Sequence, residues 1–142
     1  MKTCFHFSTT AEIENLPQIA GWLEETLAGA GVSEKDQFEI GLAVDEACSN
    51  IILHGYMQRS GTIGIESCIL DNELTVIIRD TGMPFNPLEV TPPVLDADVD
   101  HRKIGGLGVH LIRSVTDALF YEYRDGTNIL TLVKVRGVDG CD

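Results

Sequence analysis

The apolar residues of this chain change their spacing at Gly61, and this change constrains the fold more than any other feature. Between positions 13 and 54 they recur every three or four residues, as along one face of an α-helix. From Gly61 to position 79 they alternate with polar residues, as in half-buried β-strands. A chain with both patterns in separate blocks predicts an α+β fold in which helices pack on a sheet. Its 142 residues are enough for one domain with a sizeable core.

Turn and cap residues separate the predicted elements. Gly29-Ala30-Gly31 ends the first helix, Ser33 is a good N-cap for the second, and Asp71-Asn72 and Asp125-Gly126 are hairpin turns. The sequence predicts strands at 2–8, 62–70, 73–79, 118–124 and 127–135, and helices at 13–28, 34–54 and 109–115. We expect a two-layer α/β sandwich, a mostly antiparallel sheet covered on one face by helices, as a single domain over 1–142.

The second predicted helix has an apolar side and a polar side. The residues expected to be buried recur at helical spacing, and they are Phe38, Leu42, Cys48, Ile51 and Ile52. Phe38 is expected in the core together with Trp22. The polar side carries Glu46, Asn50 and His54. We expect His54 to be a packing or surface residue and not part of a site.

Charge, hydropathy and cysteine spacing exclude several classes of protein. Ten basic residues stand against twenty-two acidic ones, a net charge of −12, so neither nucleic acid nor an anionic membrane surface is an expected partner. No apolar run is long enough to cross a bilayer, and the N-terminus carries no signal-peptide pattern, which predicts a cytoplasmic protein. The four cysteines contain no C-x-x-C pair, and we expect reduced thiols at Cys4, Cys48, Cys68 and Cys141.

Three segments carry chemistry. Glu46 and Asn50 lie one helical turn apart and offer a candidate base beside an amide oxygen that Mg²⁺ accepts as a ligand. The second segment, Asp80-Thr81-Gly82-Met83-Pro84-Phe85, follows a strand, where a carboxylate accepts a hydrogen bond from an exocyclic amino group such as that of adenine. Gly82 would let a base approach the backbone closely.

The third segment, Gly105-Gly106-Leu107-Gly108, precedes a predicted helix. Successive N–H groups at a helix N-terminus favour phosphate. Each of the three segments also has a plain structural explanation: a solvated helix face, a strand-ending turn and a hinge. Their order along one chain is far more specific than any one of them.

The three segments resemble those of the Bergerat-fold (GHKL) ATP-binding domains, and within them the anti-sigma-factor serine/threonine kinases of the RsbW and SpoIIAB type. The matching stretches are residues 46–51 with 54–56, residues 80–85, and residues 105–112. The element order fits as well, so the resemblance covers nearly the whole chain. It implies a protein kinase that uses ATP and Mg²⁺.

The resemblance assigns a role to individual residues. Asn50 would hold Mg²⁺ and Glu46 would be the catalytic general base. Asp80 would bind the adenine amino group, with Gly82 beside the base and Thr131 near the adenine. The glycine segment, Gly105, Gly106, Leu107 and Gly108, would cradle phosphates, and residues 81–104 would form the ATP lid.

The resemblance also implies partners. Members of this group phosphorylate a serine on an anti-anti-sigma (STAS-domain) protein, many sequester a sigma factor, and many form homodimers. The sequence leaves two alternatives open. One is a non-catalytic module, gated by ATP or ADP, that sequesters a regulatory protein, although such a module has no need of Glu46. The other is a scaffold that binds no nucleotide.

Overall fold

The computed structural model describes residues 2–57, 59–89 and 106–136, without the side chains of 89 and 106–109. The strands are β1 Thr3–Thr10, β2 Thr62–Leu70, β3 Glu73–Asp80, β4 Ala118–Arg124 and β5 Thr127–Val135. The helices are α1 Leu16–Gly29, α2 Glu34–Asn50 and α3 Gly106–Val115. All strands pair antiparallel in the order β1-β2-β3-β5-β4, which confirms the predicted α+β sandwich.

The core lies between one face of the sheet and the helices. Over most of β2 and β3 the buried side chains alternate with half-buried or exposed ones, as the sequence pattern predicts; the buried ones include Ile63, Ile65, Leu74, Val76 and Ile78. The helices cover this face with a second set of buried side chains, among them Ile19, Leu23, Leu27, Ile40 and Val44. No helix in the described ranges has the length and hydropathy needed to span a bilayer.

Local signals set most of the element ends. Ser33 caps α2, because its hydroxyl accepts a hydrogen bond from the backbone N–H of Asp36 at 3.2 Å. Asp125 and Gly126 both have positive φ, as the tight turn between β4 and β5 requires.

The second helix ends earlier than predicted. Its α-helical part stops at Asn50, and Ile51–Gly55 forms one π-helical turn. The third helix starts earlier than predicted, at Gly106. The glycine segment is therefore partly inside α3 and not only in front of it.

The prediction that Phe38 belongs to the core is wrong. Its side chain is 67% exposed, in a groove between α1 and α2, because α2 turns Ile40, Val44 and Ala47 toward the sheet. Trp22 is half-buried and its ring stacks on that of Phe7, with centroids 5.3 Å apart.

The prediction of four reduced thiols is also wrong, because Cys4 and Cys68 form a disulfide. These residues are directly opposite each other on β1 and β2, with Cα atoms 4.1 Å apart, although 64 positions separate them in sequence. Cys48 is a free, buried thiol, and burial with the charges of Asp45 and Asp80 raises its pKa to about 12. The predicted thiol of Cys141 lies outside the described residues.

Candidate nucleotide-binding site

A mainly apolar pocket lies where α2, the end of β3, α3 and the last two strands meet. Its empty space, open mouth included, is about 450 Å³. The apolar lining residues come from α2 and the turn that follows it, from α3, from the last two strands and from the loop after β3; they include Ala47, Ile51, Met83, Phe85, Ile112 and Leu130. Three polar side chains reach the same pocket: Asn50, Asp80 and Asn128. Such a pocket suits a flat apolar ring that also offers a few hydrogen-bonding groups.

Asp80 is the acidic side chain of the pocket. It is 6% exposed at the end of β3, and its Oδ1 atom accepts hydrogen bonds from Gly82 N at 2.9 Å and from Asn128 Nδ2 at 3.0 Å. Within the described part of the chain its Oδ2 atom accepts none. Burial raises the pKa of Asp80, and these two hydrogen bonds act in the opposite direction. The carboxyl is thus fixed by one oxygen and leaves the other for a ligand.

Asn128 organises this part of the site, and sequence reasoning missed it. Its amide nitrogen donates to Asp80 Oδ1 and to the carbonyl oxygens of Gly82 and Met83, both at 3.2 Å. Its amide oxygen accepts from Phe85 N at 3.3 Å and from the Tyr121 hydroxyl. The available signal was its position in β5: alternation puts Asn128 on the same face as Leu130 and Leu132, where a polar residue is unusual.

The π-helical turn holds the loop after β3 against α2. The carbonyl oxygen of Gly55 accepts a hydrogen bond from Met83 N at 2.9 Å. The Tyr56 hydroxyl accepts one from Thr81 N at 2.8 Å and donates one to the Thr62 carbonyl at 2.7 Å. A Cβ atom on Gly82 would lie 2.8 Å from the Gly55 backbone. Close packing against Gly55 therefore requires a glycine at position 82.

The predicted pair on α2 is only partly in the pocket. Asn50 lines it, is half-buried, and its side chain makes no hydrogen bond within the described residues. Glu46 is half-buried one turn earlier and does not line the pocket as described. His54, in the π-helical turn, is half-buried and is not a lining residue either.

Thr131 lies on the face of β5 that points away from the pocket. Its neighbours Leu130 and Leu132 are buried on the core side, and strand alternation turns Thr131 outward, opposite Ile77 and Phe120. The structure therefore does not bring Thr131 together with Asp80.

The glycine segment is described only in part. Gly106, Leu107 and Gly108 begin α3, which packs against α2 and contributes Ile112 to the pocket. Gly105 and positions 90–104 of the predicted lid lie outside the described residues. The described start of that lid, residues 81–89, contributes Met83, Phe85 and Pro87 to the pocket wall.

This fold and pocket define a class of ATP-binding α+β domains, and sequence comparison agrees. The family described as "Histidine kinase-like ATPase domain" matches residues 9–134. The chain belongs to this family.

Two relatives and one solved structure illustrate the similarity. Serine/threonine-protein kinase BtrW of Bordetella bronchiseptica is 32% identical over 112 residues, which cover 78% of this chain and 79% of that protein. Serine-protein kinase RsbW of Bacillus mycoides is 29% identical over 113 residues, 74% of this chain and 71% of that protein. A crystal structure of the RsbU and RsbW domains of a Mycobacterium tuberculosis protein has the same fold. Its TM-score is 0.65 at 17% identity, and the match covers 94% of this chain but 32% of that longer one.

Proposed function

We propose that this protein is an ATP-dependent serine/threonine kinase that acts as an anti-sigma regulatory factor and phosphorylates a serine on an anti-anti-sigma (STAS-domain) protein. The single observation that carries the proposal is the Oδ2 atom of Asp80, which accepts no hydrogen bond from the described residues and lies at the wall of a mainly apolar pocket. The names of the relatives, which are serine and serine/threonine kinases, support the same reaction class.

Asp80 and Asn128 account for the choice of adenine. A carboxylate oxygen accepts a hydrogen bond from the exocyclic amino group of adenine, whereas guanine offers an oxygen at that position and would be repelled. Asn128 is the positioning residue, because its amide group holds Asp80 Oδ1 and leaves Oδ2 for the base. Gly82 keeps the loop tight against Gly55, so that the carboxyl stays at the pocket wall.

Asn50 is the residue in this pocket that suits Mg²⁺. Its amide oxygen is of the hard oxygen class that the ion prefers, and no protein group in the described residues competes for it. A bound Mg²⁺ ion would neutralise phosphate charge in the transfer step. One protein ligand is enough, because this ion commonly keeps several waters and takes its other ligands from phosphate.

Glu46 is the proposed general base. It lies one turn before Asn50 on α2 and is half-buried. In this proposal the substrate serine hydroxyl would be presented to its carboxylate. In a kinase of this kind the protein's own residues position the substrates, and a carboxylate removes the proton from the attacking hydroxyl.

The start of α3 is the proposed phosphate-binding end of the site. Gly106, Leu107 and Gly108 present the first N–H groups of that helix, where the helix dipole favours an anion. Gly105 and the remainder of the proposed lid, up to residue 104, would complete this end. A sigma factor as second partner, a homodimer and a cytoplasmic location are parts of the same proposal.

A phosphotransfer assay tests the proposal. The purified protein is incubated with Mg²⁺ and γ-labelled ATP and with each STAS-domain protein of its source organism, and the label is mapped by mass spectrometry. We expect phosphoserine on one STAS protein and none with Glu46→Gln. ATP binding without label on any STAS protein would favour the alternative, a non-catalytic ATP-gated binding module. The absence of ATP binding would contradict both.

A further inference from the structure

Four side chains with metal-binding groups form a square on the outer face of the sheet, away from the nucleotide pocket. Cys4 and His6 alternate on β1, Glu66 and Cys68 alternate on β2, and the register pairs Cys4 with Cys68 and His6 with Glu66. Alternation directs all four to the face opposite the helices, because Phe7, which follows His6 on β1 and so points the other way, stacks on Trp22 of α1. The two cross-strand pairs are two residues apart along the strands, so their side chains are neighbours on the same face of the sheet.

Three of these four side chains, Cys4, Glu66 and Cys68, bring their ligand atoms close together, and His6 lies outside this group but contacts Glu66. The ligand atoms of Cys4, Glu66 and Cys68 all lie within 4.8 Å of one another. Glu66 Oε2 is 3.5 Å from Cys68 Sγ and 3.3 Å from His6 Nε2. The other oxygen, Oε1, accepts a hydrogen bond from the Arg79 guanidinium at 3.2 Å. Arg79 thus occupies one carboxylate oxygen and turns the second toward the two sulfurs.

In the disulfide form Glu66 is held by Arg79 and His6, and its contact with Cys68 Sγ adds no interaction of its own. A disulfide has no proton to share, so the carboxylate oxygen beside Cys68 gains nothing from the contact. Glu66 is also only 20% exposed, so the contact is made at some cost in hydration. A cation held between the sulfurs and Oε2 would account for the position of all three groups.

We propose that the reduced form of this cluster binds one Zn²⁺ ion through Cys4, Cys68, Glu66 and His6. Thiolate, imidazole and carboxylate groups are the ligands that zinc selects, and four ligands satisfy its tetrahedral preference. Two thiolates and one carboxylate carry three negative charges against the two positive charges of the ion. The Arg79 cation offsets the remaining negative charge. Arg79 would also orient Glu66, as partners beyond the metal ligands commonly do.

The metal and the disulfide exclude each other because they use the same two sulfur atoms. A dithiol reductant would transfer two electrons and two protons to the disulfide and would itself become a disulfide. Zinc would then displace the two thiol protons into solvent. This site would therefore report the thiol redox state on the face of the sheet opposite the nucleotide pocket, and its existence does not depend on the proposed kinase activity.

Cobalt titration tests the proposal on the full chain. The protein is reduced with a phosphine, freed of metal by a chelator, and titrated without nucleotide first with Co²⁺ and then with Zn²⁺. We expect one equivalent of Co²⁺ with the thiolate charge-transfer and tetrahedral d–d bands, and complete displacement by one Zn²⁺. The disulfide form should show neither band.

Variants give the proposal its decisive controls. Cys4→Ser should weaken the charge-transfer band, because only the Cys68 thiolate remains, and should weaken Zn²⁺ binding by at least about 100-fold, whereas Cys141→Ser, the same chemical change, should leave both unchanged. Should Cys4→Ser fail to fold, His6→Ala, at an exposed position, should still weaken binding about tenfold or more. Undiminished thiolate bands in Cys4→Ser, loss of binding in Cys141→Ser, unaltered affinity in His6→Ala, or equal binding by the disulfide form would each overturn the proposal.

Discussion

Replacement of Asp80 by asparagine tests the nucleotide site most directly. Asparagine has nearly the same shape as aspartate, and its carbonyl oxygen can accept the same bonds from Gly82 N and Asn128 Nδ2. Its amide group would then face the pocket in place of Oδ2. That group is a donor, so it would meet the adenine amino group as donor against donor. The fold should be retained while the recognition of adenine is lost.

The size of the effect follows from the burial of this group. Asp80 is 6% exposed, and a buried hydrogen bond to a charged acceptor contributes about 2 kcal/mol, or about 30-fold in affinity. ATP at about 100 times its dissociation constant stabilises the wild-type protein by about 2.7 kcal/mol. For 142 residues this corresponds to a rise in Tm of about 9 °C. The variant should gain about 0.9 kcal/mol and about 3 °C at the same ATP concentration.

Thermal unfolding with and without Mg-ATP measures both numbers. Asp71→Asn is the matched control: it makes the same change of charge at an exposed turn at the other end of β3, where asparagine tolerates the positive φ. Isothermal calorimetry then gives the affinities for ATP and GTP, and the preference for ATP should narrow in Asp80→Asn alone. An ATP-dependent rise in Tm equal to that of Asp71→Asn would refute the role of Asp80.

The pH dependence of stability gives an independent check on the same carboxyl. Burial raises the pKa of Asp80 above the ordinary value of 3.8, so the folded protein holds this proton more tightly than the unfolded chain. This group therefore favours the folded state below the unfolded pKa, and that contribution is lost as the pH rises through the folded pKa. Without nucleotide, the Tm of Asp80→Asn should rise relative to that of wild type as the pH rises above about 4.

Four further variants separate the roles of the other residues. Asn128→Ala removes the donor to Asp80 and should cost about 2 kcal/mol of unfolding free energy by urea denaturation and lower ATP affinity about tenfold. Gly82→Ala brings a methyl group to 2.8 Å from the Gly55 backbone and should cost about 1–3 kcal/mol by the same measurement. Glu46→Gln should keep the ATP-dependent rise in Tm and lose phosphotransfer by about 100-fold or more; normal transfer would exclude a general base at this position. Thr131→Val should change ATP affinity in calorimetry by less than about twofold, since the residue faces away from the pocket, and a tenfold loss would contradict that orientation.

Local sequence signals were sufficient for most of the elements. The period-2 pattern and the Asp71-Asn72 turn specify the β2–β3 hairpin, because a tight turn and a buried face together leave one register. Where those signals are weak, the prediction was less accurate. Phe38 has helical spacing but lies at the edge of the apolar stripe, and only the packing of α2 on the sheet decides that Ile40 and Val44 are inside.

The candidate site was found in sequence only where a motif is continuous. Asp80 and Gly82 are adjacent to a strand end and form a recognisable segment, whereas Asn128 is 48 positions from Asp80 and has meaning only beside it. The prediction of Thr131 on the same strand shows the difficulty. Alternation sorts the residues of β5 into two faces, but which face points to the core depends on how β5 pairs with β3.

The amino-acid sequence by itself determined the order of helices and strands, the sheet hairpins and the three chemical segments, because each depends on residues within one turn or a few positions of one another. Only the tertiary structure decided that β5 lies between β3 and β4, and so put Asn128 against Asp80. It also paired β1 with β2 in the register that joins Cys4 to Cys68. Such contacts depend on how strands that are distant in sequence pack around one core, and the spacing of residues within a short segment does not determine that packing.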